Sequence, residues 1–213
     1  MNRSTFVSTL AGALVAFVVF GGPVRGQVGQ GLMDVNTATA EQLAALPHMS
    51  PAAVRAVTDG KPFMSIVGLH KALLAAGLTA EQTTELYAKA FVHVNLNTGT
   101  PEEILLIPGA GRRMVREFDE YRPWVTWAQF DKEIGKYVGM EETNRLRQYV
   151  FIPVDLNKAT DEDILSIPGA GRRMVREFKE YRPWTSQAQF EKEIGKYVDA
   201  KEVARLWRYV VIK

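Results

Sequence analysis

Twelve residues from Ile107 to Phe118 read IPGAGRRMVREF, and the same twelve letters return from Ile167 to Phe178. An identical stretch at a fixed spacing restricts the chain to folds assembled from repeated supersecondary units, each of which buries its apolar face against a neighbour. The Pro-Gly-x-Gly core of the stretch reads as a tight joint between two helices, because glycine alone enters left-handed backbone angles without a Cβ clash. The helix after the joint opens with N–H groups that lack intrahelical partners, at the positive end of its macrodipole, and begins with two arginines. The stretch is therefore a candidate seat for an anion.

The repeat extends well beyond these twelve letters. Val94-Asn95-Leu96-Asn97 matches Val154-Asp155-Leu156-Asn157 at a shift of 154 − 94 = 60, which holds without a gap to Lys213. A more distant version keeps the skeleton at Val35-Asn36, Thr39, Leu46-Pro47, Val54-Arg55, Pro62-Phe63 and Leu86-Tyr87, with Pro47-His48-Met49-Ser50-Pro51 replacing the glycine turn. The sequence thus divides into units at 27–93, 94–153 and 154–213. Cap signals predict four short helices per unit. Thr160 precedes Asp161-Glu162-Asp163, and Thr100 precedes a proline, Pro101, at the first helical position. Met174, Val175, Phe178 and Tyr181 then recur at helical spacing up to Pro183. Ser186 to Gln189 and Asp199 to Glu202 read as two further capping boxes, and Val210-Val211-Ile212 as an extended apolar exit.

Ahead of the repeats, Arg3 gives a positive start, Phe6 to Phe20 is almost wholly apolar, and Val24-Arg25-Gly26 offers a small-residue exit. Residues 1–26 read as a secretory signal cleaved after Gly26. The uncharged run from Ser4 to Val24, 24 − 4 + 1 = 21 residues, is also long enough for an uncleaved anchor that would hold residues 1–24 in a membrane. Both readings place the remainder outside the cytoplasm. Gln27 to Met33 is expected to be a flexible Gly/Gln-rich tether.

Composition removes several classes of chemistry. With no cysteine there is neither a disulfide framework nor a thiolate metal site, and His48, His70 and His93 lack ligand-like spacing. No cofactor motif is present. Acidic pairs such as Glu102-Glu103 sit at helix starts where capping explains them, and no serine lies in a nucleophile motif. The sequence points to a protein that binds, not to an enzyme.

The unit V-N-x-x-T-x-E-x-L-x-x-(I/L)-P-G-x-G, followed by Pro-aromatic-x-(S/T), resembles the doubled helix-hairpin-helix domain of the competence protein ComEA family, over nearly everything from Val35 to Ile212. The resemblance implies an all-α array of three tandem doubled helix-hairpin-helix, SAM-like units after the N-terminal signal or anchor helix. It also implies binding of duplex DNA outside the cytoplasmic membrane. The N–H groups of Gly109, Gly111 and Arg112, and of Gly169, Gly171 and Arg172, would hold phosphate oxygens. Arg113, Arg116, Arg173 and Arg176 would add charge, and such contacts carry no base sequence information. The chain departs from the family at Ala110 and Ala170, where a bulkier aliphatic is usual. It departs again at Tyr137-Val138-Gly139 and Tyr197-Val198-Asp199, where a second glycine hairpin is usual. The same doubled fold is similar to the extrinsic U subunit family of photosystem II, which implies a docked periplasmic subunit of a membrane complex and no DNA function.

Two further readings bear on that choice. Beside Glu117, Glu120, Glu177 and Glu180 the arginines also fit ordinary surface pairs at helical spacing. Four basic and five acidic residues lie from Gln27 to His93, eight and nine from Val94 to Pro153, and twelve and ten from Val154 to Lys213, nets of −1, −1 and +2. Nonspecific affinity for DNA comes mainly from phosphate neutralisation, so this balance predicts weak, salt-sensitive binding, with none by the first unit. Trp124 and Trp184 follow a helix-ending proline at the same place in each unit and are expected in the core. Trp127 and Trp207 stand opposite Gln187 and Arg147 in the matching unit, which predicts exposed side chains and a possible protein interface.

Overall fold

Each of three successive segments begins with two extended residues and ends on two more that pair with them in parallel. β1 (Met33–Asp34) pairs with β2 (Ala90–Phe91), β3 (Val94–Asn95) with β4 (Val150–Phe151), and β5 (Val154–Asp155) with β6 (Val210–Val211). A parallel pair needs a long crossover, and here helices supply it. The computed structural model describes residues 28, 29 and 31–213, and within them the chain is mostly helical, with eleven helices. The first segment carries α1 (Ala40–Ala44), α2 (Pro51–Gly60), α3 (Ile66–Ala75) and α4 (Ala80–Tyr87). The second carries α5 (Pro101–Leu105), α6 (Arg112–Glu120) and α7 (Trp127–Arg147), and the third α8 (Asp161–Leu165), α9 (Arg172–Glu180), α10 (Gln187–Ile194) and α11 (Ala200–Trp207). In the second segment α7 is interrupted at Gly139, where φ is 75° and ψ 168°, so its span holds two helical stretches in place of the separate pairs α3 and α4, and α10 and α11.

Helix starts follow local chemistry. Thr39, Thr100 and Thr160 each accept the N–H three residues on, and Gln42, Glu103 and Asp163 reach back to the cap N–H. Ser186 and Asp199 also cap, but without the reciprocal bond expected of a capping box. Gln189 instead accepts from Thr185 N–H, and Glu202 is taken by Arg205.

One asparagine bracket recurs in all three segments. Asn97 accepts the N–H of Trp124 at 2.6 Å and donates to its carbonyl at 2.9 Å. Asn157 does the same with Trp184, and Asn36 with Phe63. The bracket ties the strand exit to the loop between two helix pairs, and it sets Trp124 and Trp184 in the core at 0% and 1% exposure. One apolar cluster runs from Val35 to Ile152, through the first and second segments. A second fills the third segment and takes in Val28 and Phe151.

The expected flexible tether is corrected at its start. Val28 forms an antiparallel bridge with Phe151 and is buried, and Gly29 N–H donates to Val150 O at 3.1 Å. The open edge of β4 offers the polar backbone groups, and an apolar gap takes the Val28 side chain. Gly29 fits only as glycine there, since a Cβ would stand 1.9 Å from Arg147 O. The signal or anchor at 1–26 lies outside the described residues, and among those described no helix is long and apolar enough to cross a membrane.

The first and third segments meet through a buried polar knot. Asp34 Oδ2 lies 3.2 Å from His93 Nδ1 and accepts from Tyr209 OH at 3.0 Å, while Arg208 donates to His93 O at 2.7 Å. Burial pushes the Asp34 carboxyl up. The hydrogen bond and charge of His93, the Tyr209 hydroxyl and the nearby Arg205 outweigh it and hold the carboxyl below its ordinary value. Burial and the Asp34 charge push the Tyr209 phenol up.

Candidate anion-binding hairpins

Between α5 and α6, and again between α8 and α9, the chain turns on a glycine in the left-handed region, with φ 78° at Gly109 and 77° at Gly169. Ala110 N–H closes the turn on Ile107 O, and Ala170 N–H on Ile167 O, both at 2.9 Å. Gly111 and Gly171 then serve as N-caps without a side chain to satisfy the first-turn donors of α6 and α9. Every other helix among the described residues has a Ser, Thr or Asp side chain accepting at that place. Gly109, Gly111, Arg112, Gly169, Gly171 and Arg172 are all exposed, and the Cβ positions of Gly111 and Gly171 have no neighbour within 4 Å.

In the first segment, where Pro47-His48-Met49-Ser50-Pro51 replaces the glycine turn, the left-handed turn is kept without a glycine. His48 itself adopts φ 62°, a left-handed conformation that polar residues tolerate better than branched ones. Its Nε2 lies 2.6 Å from Glu85. Ser50 Oγ accepts Ala53 N–H, so this helix start is capped where its two counterparts are bare.

The residue beneath the turn was not legible as a site residue. An ideal Cβ on Gly109 would stand 3.1 Å from Arg145 Nη2, and one on Gly169 would stand 3.0 Å from Arg205 Nη2. Glu142 holds Arg145, and Glu202 holds Arg205, each through two bonds of 2.7 Å. Arg205 is buried where the first segment lies over it, with Thr37 Cγ2 3.0 Å from the same Cβ position, and Arg205 Nη1 has no partner among the described residues. The only signal in the sequence was the repeat column, in which Glu85, Arg145 and Arg205 follow at steps of 60.

The expected arginines divide by environment. Arg112, Arg116 and Arg172 are exposed and form no ion pair among the described residues. Arg113 and Arg173 stack over Tyr137 and Tyr197 at 4.9 and 4.8 Å, and Arg176 pairs with Glu177 at 3.0 Å. Glu117 and Glu177 do pair with exposed arginines, Arg113 Nε lying 3.7 Å from Glu117 at the expected helical spacing and Arg176 3.0 Å from Glu177, but the carboxylates themselves are buried. They share the inward face of α6 and α9 with Met114, Phe118, Met174 and Phe178, and each keeps one carboxylate oxygen buried without a hydrogen-bond partner among the described residues. Burial pushes the Glu177 carboxyl up, but Tyr197 and Arg176 outweigh it and hold it below the ordinary range. Tyr121 meets Tyr137, and Tyr181 meets Tyr197, hydroxyl to hydroxyl at 2.9 Å; these bonds, with Glu117 and Glu177, push the Tyr137 and Tyr197 phenols up.

Trp127 and Trp207 are half-buried, not exposed. Trp127 packs edge-on to Phe130 at 5.6 Å with Arg147 over its ring, and Trp207 packs on Phe190 at 5.2 Å. Phe130 and Phe190 are equivalent, so one tryptophan covers the same phenylalanine in each segment from opposite helices of the pair. Trp207 also borders a groove of about 510 Å³ with Met64, Val198, Ala200 and Ala204. No group of three or more His, Asp or Glu among the described residues is placed to hold a metal ion. No protein-family model, curated protein or solved structure matches the chain.

Proposed function

We propose that the protein is an exported, non-enzymatic binder of duplex DNA, built as three tandem doubled helix-hairpin-helix units, with phosphate contacts made by the hairpins of the second and third. The observation that carries this reading is the pair of uncapped helix starts. α6 and α9 begin without a capping side chain after a left-handed glycine, and the exposed Arg112 and Arg172 stand beside them with no carboxylate partner among the described residues. An uncapped N-terminus leaves donors for an external acceptor, and a phosphate oxygen fits both the donors and the dipole. Ser50 occupies the corresponding donor in the first segment, which assigns that unit no share.

Binding is independent of base sequence, and its salt dependence is the quantity to measure. With about four neutralised phosphates, the slope of log K against log salt is roughly −3.6. Changing Arg112, Arg113, Arg172 and Arg173 together to alanine is expected to flatten that slope at unchanged fold, because the four side chains are exposed and Met114, Phe118, Met174 and Phe178 carry the packing. Gel-shift titrations at several salt concentrations check this. Absence of wild-type binding at low salt, or equal binding by the variant, makes the hairpins simple turns. A second reading, a periplasmic subunit docked on a membrane protein complex, rests on the apolar groove beside Trp207 and on the near-neutral charge. Purification from native membranes with a stoichiometric protein partner, and no DNA affinity, would place it first.

A further inference from the structure

The residue under each left-handed turn changes charge in step with the cap. Where the turn is followed by a bare helix start, an arginine lies against it: Arg145 at Gly109 and Arg205 at Gly169. Where the start is capped by Ser50, the same column holds Glu85, bonded to His48. Arg145 is itself paired with Glu142, yet no Glu142 atom comes within 4 Å of the Gly109 Cβ position, so the guanidinium is the end of that pair nearest the turn. Arg205 likewise sets Nη2 against Gly169, and its Nη1 is buried under the first segment without a hydrogen-bond partner among the described residues, so it can act on the turn above it only through its charge.

Resting on the DNA reading above, we propose that Arg145 and Arg205 are a second cationic layer of the two phosphate seats, and that the charge in this column decides which hairpins accept an anion. The hairpin N–H groups and Arg112 or Arg172 would hold a phosphate from above, with the guanidinium of Arg145 or Arg205 beneath the turn. Arg145 is the more accessible of the two, with 33% of its side chain exposed against 2% for Arg205. The second hairpin is therefore the one where the lower layer reaches the ligand directly. In the first segment Glu85 repels the same ligand.

The test is a gel-shift salt titration of the full chain with a short DNA duplex, alongside thermal unfolding. Arg145→Gln is expected to weaken binding roughly three- to tenfold, and to make the log-log slope shallower by about 0.9, one phosphate contact. A combined His48→Gly, Ser50→Gly and Glu85→Arg variant, which rebuilds the seat in the first segment, is expected to steepen the slope by about 0.9. Wild-type binding with an unchanged slope in Arg145→Gln, even at a lowered melting temperature, overturns the proposal and leaves the DNA reading intact, since a purely structural arginine would act on stability alone. No binding by wild type overturns both. If the rebuilt variant does not fold, the Arg145→Gln slope decides alone.

Discussion

Alanine at Trp124 is expected to destabilise the protein by about 3–5 kcal/mol, the range for removing a buried aromatic side chain. Trp124 is fully buried, packs on Phe130 at 5.4 Å, and donates its indole N–H to Phe118 O at 2.8 Å, at the end of α6. Substitution leaves a cavity and an unpaired carbonyl. It also frees the far end of the helix that carries the second hairpin, so anion affinity should fall together with stability. Trp184→Ala is expected to behave alike, because Trp184 Nε1 donates to Phe178 O at 2.7 Å and the ring packs on Phe190 at 5.5 Å. Urea unfolding followed by far-UV circular dichroism measures the loss. For a domain whose whole stability is about 5–15 kcal/mol, a change below about 1 kcal/mol would show that these rings do not carry the core.

Asp34→Ala is expected to open the contact between the first and third segments, at a cost of about 3–5 kcal/mol, the range for breaking a buried polar pair by removing one partner. The change leaves His93 Nδ1 and the Tyr209 hydroxyl buried without their acceptor. Its pH dependence has a definite sign. The folded-state carboxyl lies below its ordinary value of 3.8, so the stability it contributes is fully present above that value and is lost as pH falls from about 4 through the folded pKa. Asp34→Asn, which cannot ionise, is expected to lack this component of acid destabilisation. Stability measured by urea titration from pH 7 down to pH 3, for wild type and Asp34→Asn, checks it. Superimposable pH profiles would show that Asp34 is not an ionised tie.

The difference between the three hairpins illustrates how far the letters reach. Gly109 and Gly169 announced a left-handed turn by residue type, since no other side chain takes that conformation without cost. His48 did not, because a histidine at φ 62° is held by what surrounds it, here Glu85 from α4. The bare starts of α6 and α9 were readable from Gly111 and Gly171, whereas the cap at Ser50 emerged only in the structure. Arg145 and Arg205 were unreadable as site residues, since in sequence each is simply an arginine three places after a glutamate on a helix.

What the sequence determined by itself was therefore local: the helix caps at Thr39, Thr100 and Thr160, the glycine turns, and the apolar stripe through Met174 and Phe178. Each depends on groups within about four residues of one another, which the backbone geometry brings together wherever the segment folds. Tertiary structure decided everything that depends on a neighbour of unrelated sequence position. It turned Glu117 and Glu177 inward, and it let Trp127 and Trp207 cover equivalent phenylalanines from opposite helices. It seated Val28 on Phe151 and set Tyr209 on Asp34. Periodicity fixes which side of a helix is apolar, but the surface that side meets is chosen only when the segments pack, because burial is non-directional until close contact selects one fit.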